Sequence, residues 1–185
     1  MSRLTEPRPR YDRVTIALHW LTAVLVIVLF ALAEIWGYLP RGTPLRRGFQ
    51  ALHISLGILL ALVFVARLAW RLTQGRSLPA ATTGLQNLAA TAANWALYLL
   101  LAAQIGLGFL FRWAQGEPFL FFGLFSIPSP MTADRPTAHS FGELHNTIAW
   151  VIIVLAGCHA AAALLHHYVL RDGLLRRMLP GTAPR

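Results

Sequence analysis

The chain has 185 residues, of which 56% are hydrophobic and 12% are charged, and its mean hydropathy is +0.56. Because soluble domains carry about 25% charged residues, this composition excludes an ordinary soluble domain and indicates a single membrane domain over residues 1–185. All 16 Lys or Arg residues are arginine and the formal net charge is +9, but the arginines flank apolar runs, which favours a lipid bilayer over nucleic acid as the partner.

Four apolar segments follow one another along the chain, at about residues 14–37, 49–72, 88–111 and 144–170. Each has about 20 residues or more, which is enough for a helix to cross roughly 30 Å of hydrocarbon. Proline and glycine residues separate the segments. The sequence therefore predicts an all-α integral membrane protein built as a four-helix transmembrane bundle.

The connection before the fourth segment is long and contains four prolines, of which Pro136 is the last. Its stretch EPFLFFGLFSIP, residues 117–128, is too short to cross a membrane. We interpret this stretch as a re-entrant or interfacial cap on the outer face. His139 lies in the same connection, where we expect it to be solvated.

Arginines are distributed unequally between the two ends of the predicted helices. Eleven are at one end, namely Arg3, Arg8, Arg10, Arg13, Arg67, Arg71, Arg76, Arg171, Arg176, Arg177 and Arg185. The remaining five are at the other end, so the positive-inside rule predicts that both termini are cytoplasmic. The N-terminal basic segment is long and the run after it is of spanning length, so we do not expect a cleavable signal.

Four histidines lie within the predicted helices at two depths. His19 begins the first helix near the cytoplasmic side, whereas His53 and His145 begin the second and fourth helices near the outer side. His159 follows His145 on the same helix, about 21 Å further toward the cytoplasm at 1.5 Å per residue, and nearly four turns put both on one face. The spacing predicts an inner pair, His19 with His159, and an outer pair, His53 with His145.

Two imidazoles at each of two depths match the axial ligands of two six-coordinate b-type haems, with each porphyrin between helices. Arg67 faces the same way as His53 but at the inner level, where a haem propionate would satisfy a guanidinium that is costly in hydrocarbon. Gly57 and Gly157 lie near the ligands, where small residues would admit a flat macrocycle. The single Cys158 and the lack of a CxxCH motif argue against covalent c-type haem.

Other roles for these histidines stay open on the residues alone. A lone histidine in a membrane helix is often a hydrogen-bond donor between helices. A zinc site would need a third and a fourth ligand, and carboxylates near these histidines are few. A non-redox metal-binding membrane protein is therefore an alternative to a haem protein.

Four motifs in this order and spacing resemble those of the bacterial cytochrome b561 family, whose members include superoxide oxidase. They are RVTIALHW around His19, ALHISLG around His53, ELHNTIAW around His145 and GCHAAAALLHHY around His159. The resemblance covers roughly residues 10–180. It implies a multi-pass protein of the bacterial inner membrane with two non-covalent b haems on the two histidine pairs, and ubiquinone as a partner. It also implies an oxidoreductase that oxidises superoxide to dioxygen and reduces ubiquinone to ubiquinol.

Further residues are candidates for contacts with the substrates of such a reaction. No catalytic acid or base is expected at the outer haem, because electron transfer requires only proximity, matched potentials and an insulated path. Arg46 and Arg47 precede the second helix and are candidates for attracting superoxide, although solvated loop arginines would look the same. His166 and Arg71 are candidates for the ubiquinone headgroup, and an interfacial role is the alternative for His166.

The main rival function is that of a haem b subunit that receives electrons from a membrane hydrogenase or dehydrogenase. Such a subunit would need a redox partner protein. The short chain and compact connections favour a protein that works alone.

Overall fold

Four long helices form the framework of the molecule. The computed structural model describes residues 10–80 and 82–180, so that Arg3, Arg8 and Arg185 of the predicted charge pattern lie outside the described residues. The helices are α1 (Arg13–Gly37), α2 (Pro44–Thr73), α3 (Gly84–Ala114) and α4 (Arg135–Leu165). Within the described ranges, all four are long and apolar enough to cross a membrane, with α4 continued to Leu170. The predicted all-α membrane fold with four spans is confirmed.

Three helices begin earlier than the hydropathy pattern predicts, because their first turns are polar or contain proline. The starts of α2, α3 and α4 are at 44, 84 and 135, where the sequence predicted 49, 88 and 144. Thr43 caps α2, with its side chain accepting from the amide of Arg46, and Pro44 follows it in the first turn. Pro136 likewise lies in the first turn of α4, where its missing N–H costs no helical hydrogen bond. Pro136 therefore starts a helix, and His139 lies on α4 instead of in the connection, with a side chain that is 75% exposed.

The helices pack as two hairpin pairs. Extended contacts join α1 to α2 and α3 to α4, whereas contacts between the two pairs are sparse. The main buried cluster lies between α1, α2 and α3 and consists of Leu25, Leu29, Leu60, Val63 and Leu101. In hydrocarbon such a cluster stabilises the fold by close van der Waals packing, because lipid tails are as apolar as leucine. Close backbone contacts therefore lie mainly within each hairpin pair, while the buried side-chain cluster joins α3 to α1 and α2.

The connection between α3 and α4 forms a small β-hairpin. Its strands are β1 (Phe119–Phe121) and β2 (Phe125–Ile127), paired antiparallel with Phe121 opposite Phe125. Phe122 and Gly123 have φ values of 46° and 75°, and the amide of Leu124 donates to the carbonyl of Phe121 at 2.8 Å, so residues 121–124 form a tight turn with two left-handed central residues. This is the stretch that the sequence predicted as an interfacial cap, but the hydropathy pattern did not reveal its strands.

Ser55 of α2 holds the β-hairpin in place. Its side chain is among the most buried in the protein, with 2% exposure. The hydroxyl accepts a hydrogen bond from the amide of Phe122 at 3.0 Å and donates toward the carbonyls of Ala51 at 3.0 Å and Leu120 at 3.2 Å. The hairpin is therefore fixed to α2 two residues after His53.

Asp12 organises the opposite end of the bundle. It is the N-cap of α1 and accepts hydrogen bonds from Thr15 N at 2.9 Å, Trp70 Nε1 at 3.0 Å and Arg76 N at 3.2 Å. Burial raises the pKa of Asp12, but the hydrogen bonds from Thr15, Arg76 and Trp70 outweigh it and hold the pKa below the ordinary value. One carboxylate thus ties the start of α1 to the end of α2 and to the segment after it.

The C-terminal segment packs against the same end. After α4 the chain continues as a π-helical turn, His166–Leu170, and a short 3-10 helix, Leu175–Arg177. Trp20 Nε1 donates to the carbonyl of Met178 at 2.8 Å, which joins this segment to α1.

Candidate functional site

The predicted outer histidine pair is assembled from α2 and α4. The imidazole rings of His53 and His145 have centroids 6.4 Å apart at an interplanar angle of 74°. Each ring is held from behind through Nδ1. His53 Nδ1 lies 3.0 Å from the carbonyl oxygen of Leu29 in α1, and His145 Nδ1 lies 3.1 Å from that of Gln104 in α3. Each histidine is thus oriented by the other helix of its own hairpin pair.

These Nδ1 contacts decide the tautomer of both rings. A backbone carbonyl only accepts, so Nδ1 carries the proton in each ring and Nε2 keeps its lone pair. Metal-ligating histidines in proteins are typically held in this way, with the second ring nitrogen donating to a carbonyl or carboxylate. The outer pair therefore offers two nitrogen ligands that are already oriented.

Two residues of α3 that the sequence reasoning missed surround His145. The Gln104 side chain donates from Nε2 to His145 Nε2 at 3.1 Å, and its own Oε1 is buried without a partner among the described residues. Gly108 lies one turn further along α3, and a Cβ added there would be 3.3 Å from His145 Cε1. The sequence signal that could have revealed these residues was a glutamine in an apolar helix, because a polar side chain is costly in a membrane, followed by a glycine four residues later.

At the predicted inner level, each of the four helices contributes one polar residue. Arg67 Nη2 of α2 is 3.2 Å from His19 Nδ1 of α1, and the Arg67 guanidinium lies over the ring of Tyr98 of α3, 4.9 Å from its centroid. His159 of α4 is close enough to interact electrostatically with His19 and with Arg67. The structure therefore brings His19, His159 and Arg67 together, and it adds Tyr98, which the sequence reasoning did not identify.

The environment of Arg67 favours the binding of an anion next to its guanidinium. The residue is half-buried within a membrane-spanning helix, and no carboxylate forms an ion pair with it among the residues that the structure describes. Stacking on Tyr98 compensates the guanidinium only in part. A propionate of a macrocycle beside His19 would complete its coordination.

Two of the glycines that the sequence placed near the histidines have open space beside them. A Cβ added at Gly57 or at Gly157 would meet nothing within 4 Å. Each histidine pair has one member on α1 or α2 and the other on α4. It therefore spans the region where α1 and α2 have few close backbone contacts with α3 and α4. In the described part of the chain no cluster of three or more His, Cys, Asp or Glu residues is placed to hold a metal ion. The donor sets are thus pairs of imidazoles, which suit the two axial positions of haem iron better than a tetrahedral metal.

The two residues predicted for a quinone headgroup, His166 and Arg71, lie on different helical elements, and their shared role stays a prediction. His166 Nδ1 is paired with the carboxylate of Asp172, and the hydrogen bond from His166 lowers the pKa of Asp172. Arg71 lies one turn after Arg67 on α2 and is exposed.

The two arginines predicted to attract superoxide also differ from each other. The Arg46 guanidinium donates to the carbonyls of Trp36 at 2.9 Å and Leu39 at 2.7 Å, so that it caps the C-terminal end of α1. Arg47 is exposed. Of these two residues, Arg47 is the one whose guanidinium has no hydrogen-bond or ion-pair partner among the described residues.

Comparisons with known proteins agree with this architecture. The sequence model of a family described as prokaryotic cytochrome b561 matches residues 10–181. The chain is 37% identical over 177 residues to cytochrome b561 homolog 2 of Escherichia coli K12, which covers 95% of this chain and 94% of that protein. It is 31% identical over 173 residues to the probable superoxide oxidase CybB of Yersinia pestis, which covers 92% of this chain and 96% of that protein. Cytochrome b562 of Cereibacter sphaeroides is 27% identical over 184 residues, with 92% and 96% covered.

Proposed function

Because the chain belongs to the prokaryotic cytochrome b561 family, a family of electron-transferring membrane proteins with b-type haem, we propose that it holds two non-covalent haems and reduces ubiquinone. Superoxide is the proposed electron donor at the outer face. Two superoxide anions released as two dioxygen molecules supply two electrons, and ubiquinone takes these with two protons to give ubiquinol. The similarity to a probable superoxide oxidase supports this choice of donor.

The observation that carries the proposal is the geometry of the outer pair. His53 and His145 project from different hairpin pairs, and both have Nδ1 on a backbone carbonyl, which leaves Nε2 of each ring as an iron ligand. His145 Nε2 would hold the iron of a bound haem, and the Gln104 amide, which donates to this nitrogen at 3.1 Å, would then need another acceptor. A bound haem supplies reversible one-electron chemistry at its iron.

The inner pair, His19 and His159, is proposed to ligate the second haem. In this role Arg67 pairs with a propionate, and Tyr98 holds the guanidinium from α3. His145 and His159 are separated by about 21 Å along α4, which gives two redox centres within one bilayer. The surrounding apolar helices insulate the electron path from water.

The ends of the bundle are proposed to serve the two substrates. Arg47 attracts the superoxide anion at the outer end, whereas Arg46 keeps the corner between α1 and α2 in place. At the other end, which we propose to be cytoplasmic together with both termini, the His166–Asp172 pair is a group that can exchange protons near a quinone. Arg71 remains the proposed cationic neighbour of that headgroup.

The first test is a haem count on the purified protein. A reduced-minus-oxidised spectrum with a pyridine haemochrome assay should give two b haems per chain with low-spin bands. His53→Ala should retain one haem, and so should His19→Ala. His139→Ala is the matched control, because this exposed histidine of α4 pairs with Glu143, belongs to neither histidine pair and should leave both haems bound. Two haems in either ligand variant would refute the assignment of that pair.

The second test concerns the donor. Superoxide generated in solution should reduce ubiquinone in the presence of the wild-type protein, and His53→Ala should abolish this reaction. A protein with two haems that superoxide fails to reduce would refute the proposed donor and would point to a redox partner protein instead. Co-purification of a flavin or iron–sulfur protein would identify that partner.

A further inference from the structure

The end of α4 carries an unusual backbone conformation. The α-helix gives way to a π-helical turn over His166–Leu170, and Arg171 follows with φ at 53°, in the left-handed region. A non-glycine residue is uncommon there, and π-helical turns occur frequently at functional sites. The amides of Arg171 and Asp172 both point back to the carbonyl of His166, so that the turn closes on itself.

A cleft of about 360 Å³ opens beside this turn. It is lined by His167, Tyr168, Arg171, Gly173 and Arg176. Two arginines, a histidine and a tyrosine thus line one space together with Gly173. None of these residues belongs to the two histidine pairs proposed for haem.

The cleft has a net positive charge. The nearest carboxylate, Asp172, is occupied by His166 and by the amide of Leu174 at 2.9 Å. Within residues 10–80 and 82–180, neither Arg171 nor Arg176 has an ion-pair partner, and both side chains are exposed. Two free guanidiniums that line one cleft form a site for an anion with several acceptor oxygens.

The position of the cleft indicates at which depth of the membrane an anion would bind. The turn is the last part of a membrane-spanning helix, and Tyr168, Val169 and Leu170 are exposed by 69%, 67% and 51%. Apolar side chains that face outward next to arginines match the boundary between acyl chains and headgroups. A phosphate at this depth would have its charge in the cleft and any acyl chains along the outside of α4.

From these observations we propose that the cleft at the end of α4 binds a phosphate group, with Arg171 and Arg176 as its ligands. The group is presented either by an anionic phospholipid or as a free phosphate. The bound phosphate stabilises the turn that links α4 to the C-terminal segment, and through Trp20 it stabilises the N-terminal part of α1.

The test measures ligand retention by native mass spectrometry on the full-length protein with its haems, purified in detergent. Phosphatidylglycerol is added in one series and phosphatidylcholine in another. A third series measures inorganic phosphate against chloride at equal ionic strength, by calorimetry. We expect the wild-type protein to retain phosphatidylglycerol about 25-fold better than the variant that lacks both arginines, at about fivefold for each arginine.

The variants are Arg171→Gly and Arg176→Gln, singly and together. Glycine is the residue best suited to φ near 53°, so Arg171→Gly removes the guanidinium while relieving the backbone. Arg76→Gln is the matched control, because it removes one exposed positive charge that we predict to be on the same membrane face but that does not line the cleft. The haem spectrum and size-exclusion profile report separately on folding.

Loss of phosphatidylglycerol in the cleft variants, with retention in Arg76→Gln, supports a lipid phosphate as the ligand. Binding of inorganic phosphate that the same two substitutions abolish, without any lipid preference, supports a free phosphate. The proposal is overturned if the wild-type protein prefers neither ligand, or if Arg76→Gln loses binding as strongly as the cleft variants. None of these results depends on which molecule reduces the protein.

Discussion

Replacing Gly108 by alanine tests whether the position of His145 controls the outer haem. A Cβ at residue 108 would be 3.3 Å from His145 Cε1 and 3.7 Å from its Nδ1, so the ring must move by a few tenths of an ångström. The ring is held there by the 3.1 Å hydrogen bond from Nδ1 to Gln104 O. Gly106→Ala, on the same helix, is the matched control because its Cβ would meet nothing within 4 Å.

The two alanine substitutions should differ in their effect on the free energy of unfolding. Alanine in place of glycine within a helix is worth about 1 kcal/mol, and Gly106→Ala should gain this amount. In Gly108→Ala the weakened Nδ1 hydrogen bond, worth about 0.5–1.5 kcal/mol, cancels the gain. Loss of such an outer-shell contact typically weakens metal affinity about 10–100-fold, so the outer haem should be partly lost and its potential shifted.

The measurements are a haem count, a potentiometric titration and thermal unfolding of both variants beside the wild type. The expected result is two haems with unchanged potentials in Gly106→Ala, and one perturbed haem in Gly108→Ala. If Gly108→Ala binds both haems with wild-type potentials and gains the same stability as Gly106→Ala, then His145 is not held as a ligand by α3.

Three other predictions concern residues outside the histidine pairs. Arg47→Gln should lower the rate of reduction by superoxide and flatten its dependence on salt, whereas Arg46→Gln should lower thermal stability through the lost cap of α1; equal rates in wild type and Arg47→Gln would exclude attraction by this residue. Ser55→Ala should cost about 1–3 kcal/mol and speed amide exchange at Phe122, because it leaves the hairpin amide without its acceptor; unchanged exchange would show that Ser55 does not hold the hairpin. The pKa of Asp12 is lowered on folding, so its contribution to stability is fully present above the ordinary carboxyl pKa of 3.8 and is lost only as pH falls further, through the lower folded value. Unfolding measured against pH should show this loss in the wild type and not in Asp12→Asn, and an identical profile in the two proteins would contradict it.

The sequence by itself determined the number of membrane helices and the levels of the histidines. Bilayer thickness sets the length of an apolar helix, so four runs of spanning length are enough to predict four spans. The fixed rise and turn of a helix place His145 and His159 on one face without knowledge of any neighbour. The same rules put Arg67 at the level of His19, where the structure finds the two side chains in contact. Their roles as haem ligands and propionate partner stay predictions.

The tertiary structure decided what each of these side chains touches. Periodicity along one helix carries no information on the register of the facing helix, so the carbonyls of Leu29 and Gln104 behind the outer histidines were not visible in the sequence. From the sequence alone, a proline predicts a break between helices. The fold instead places Pro136 in the first turn of α4, where proline is tolerated. From the sequence alone, Arg46 is likewise interpreted as a free charge. In the structure, the corner between α1 and α2 places its guanidinium on the backbone carbonyls at the end of α1. Composition and helical periodicity are properties of one segment, whereas the contacts of a side chain depend on how different segments pack together.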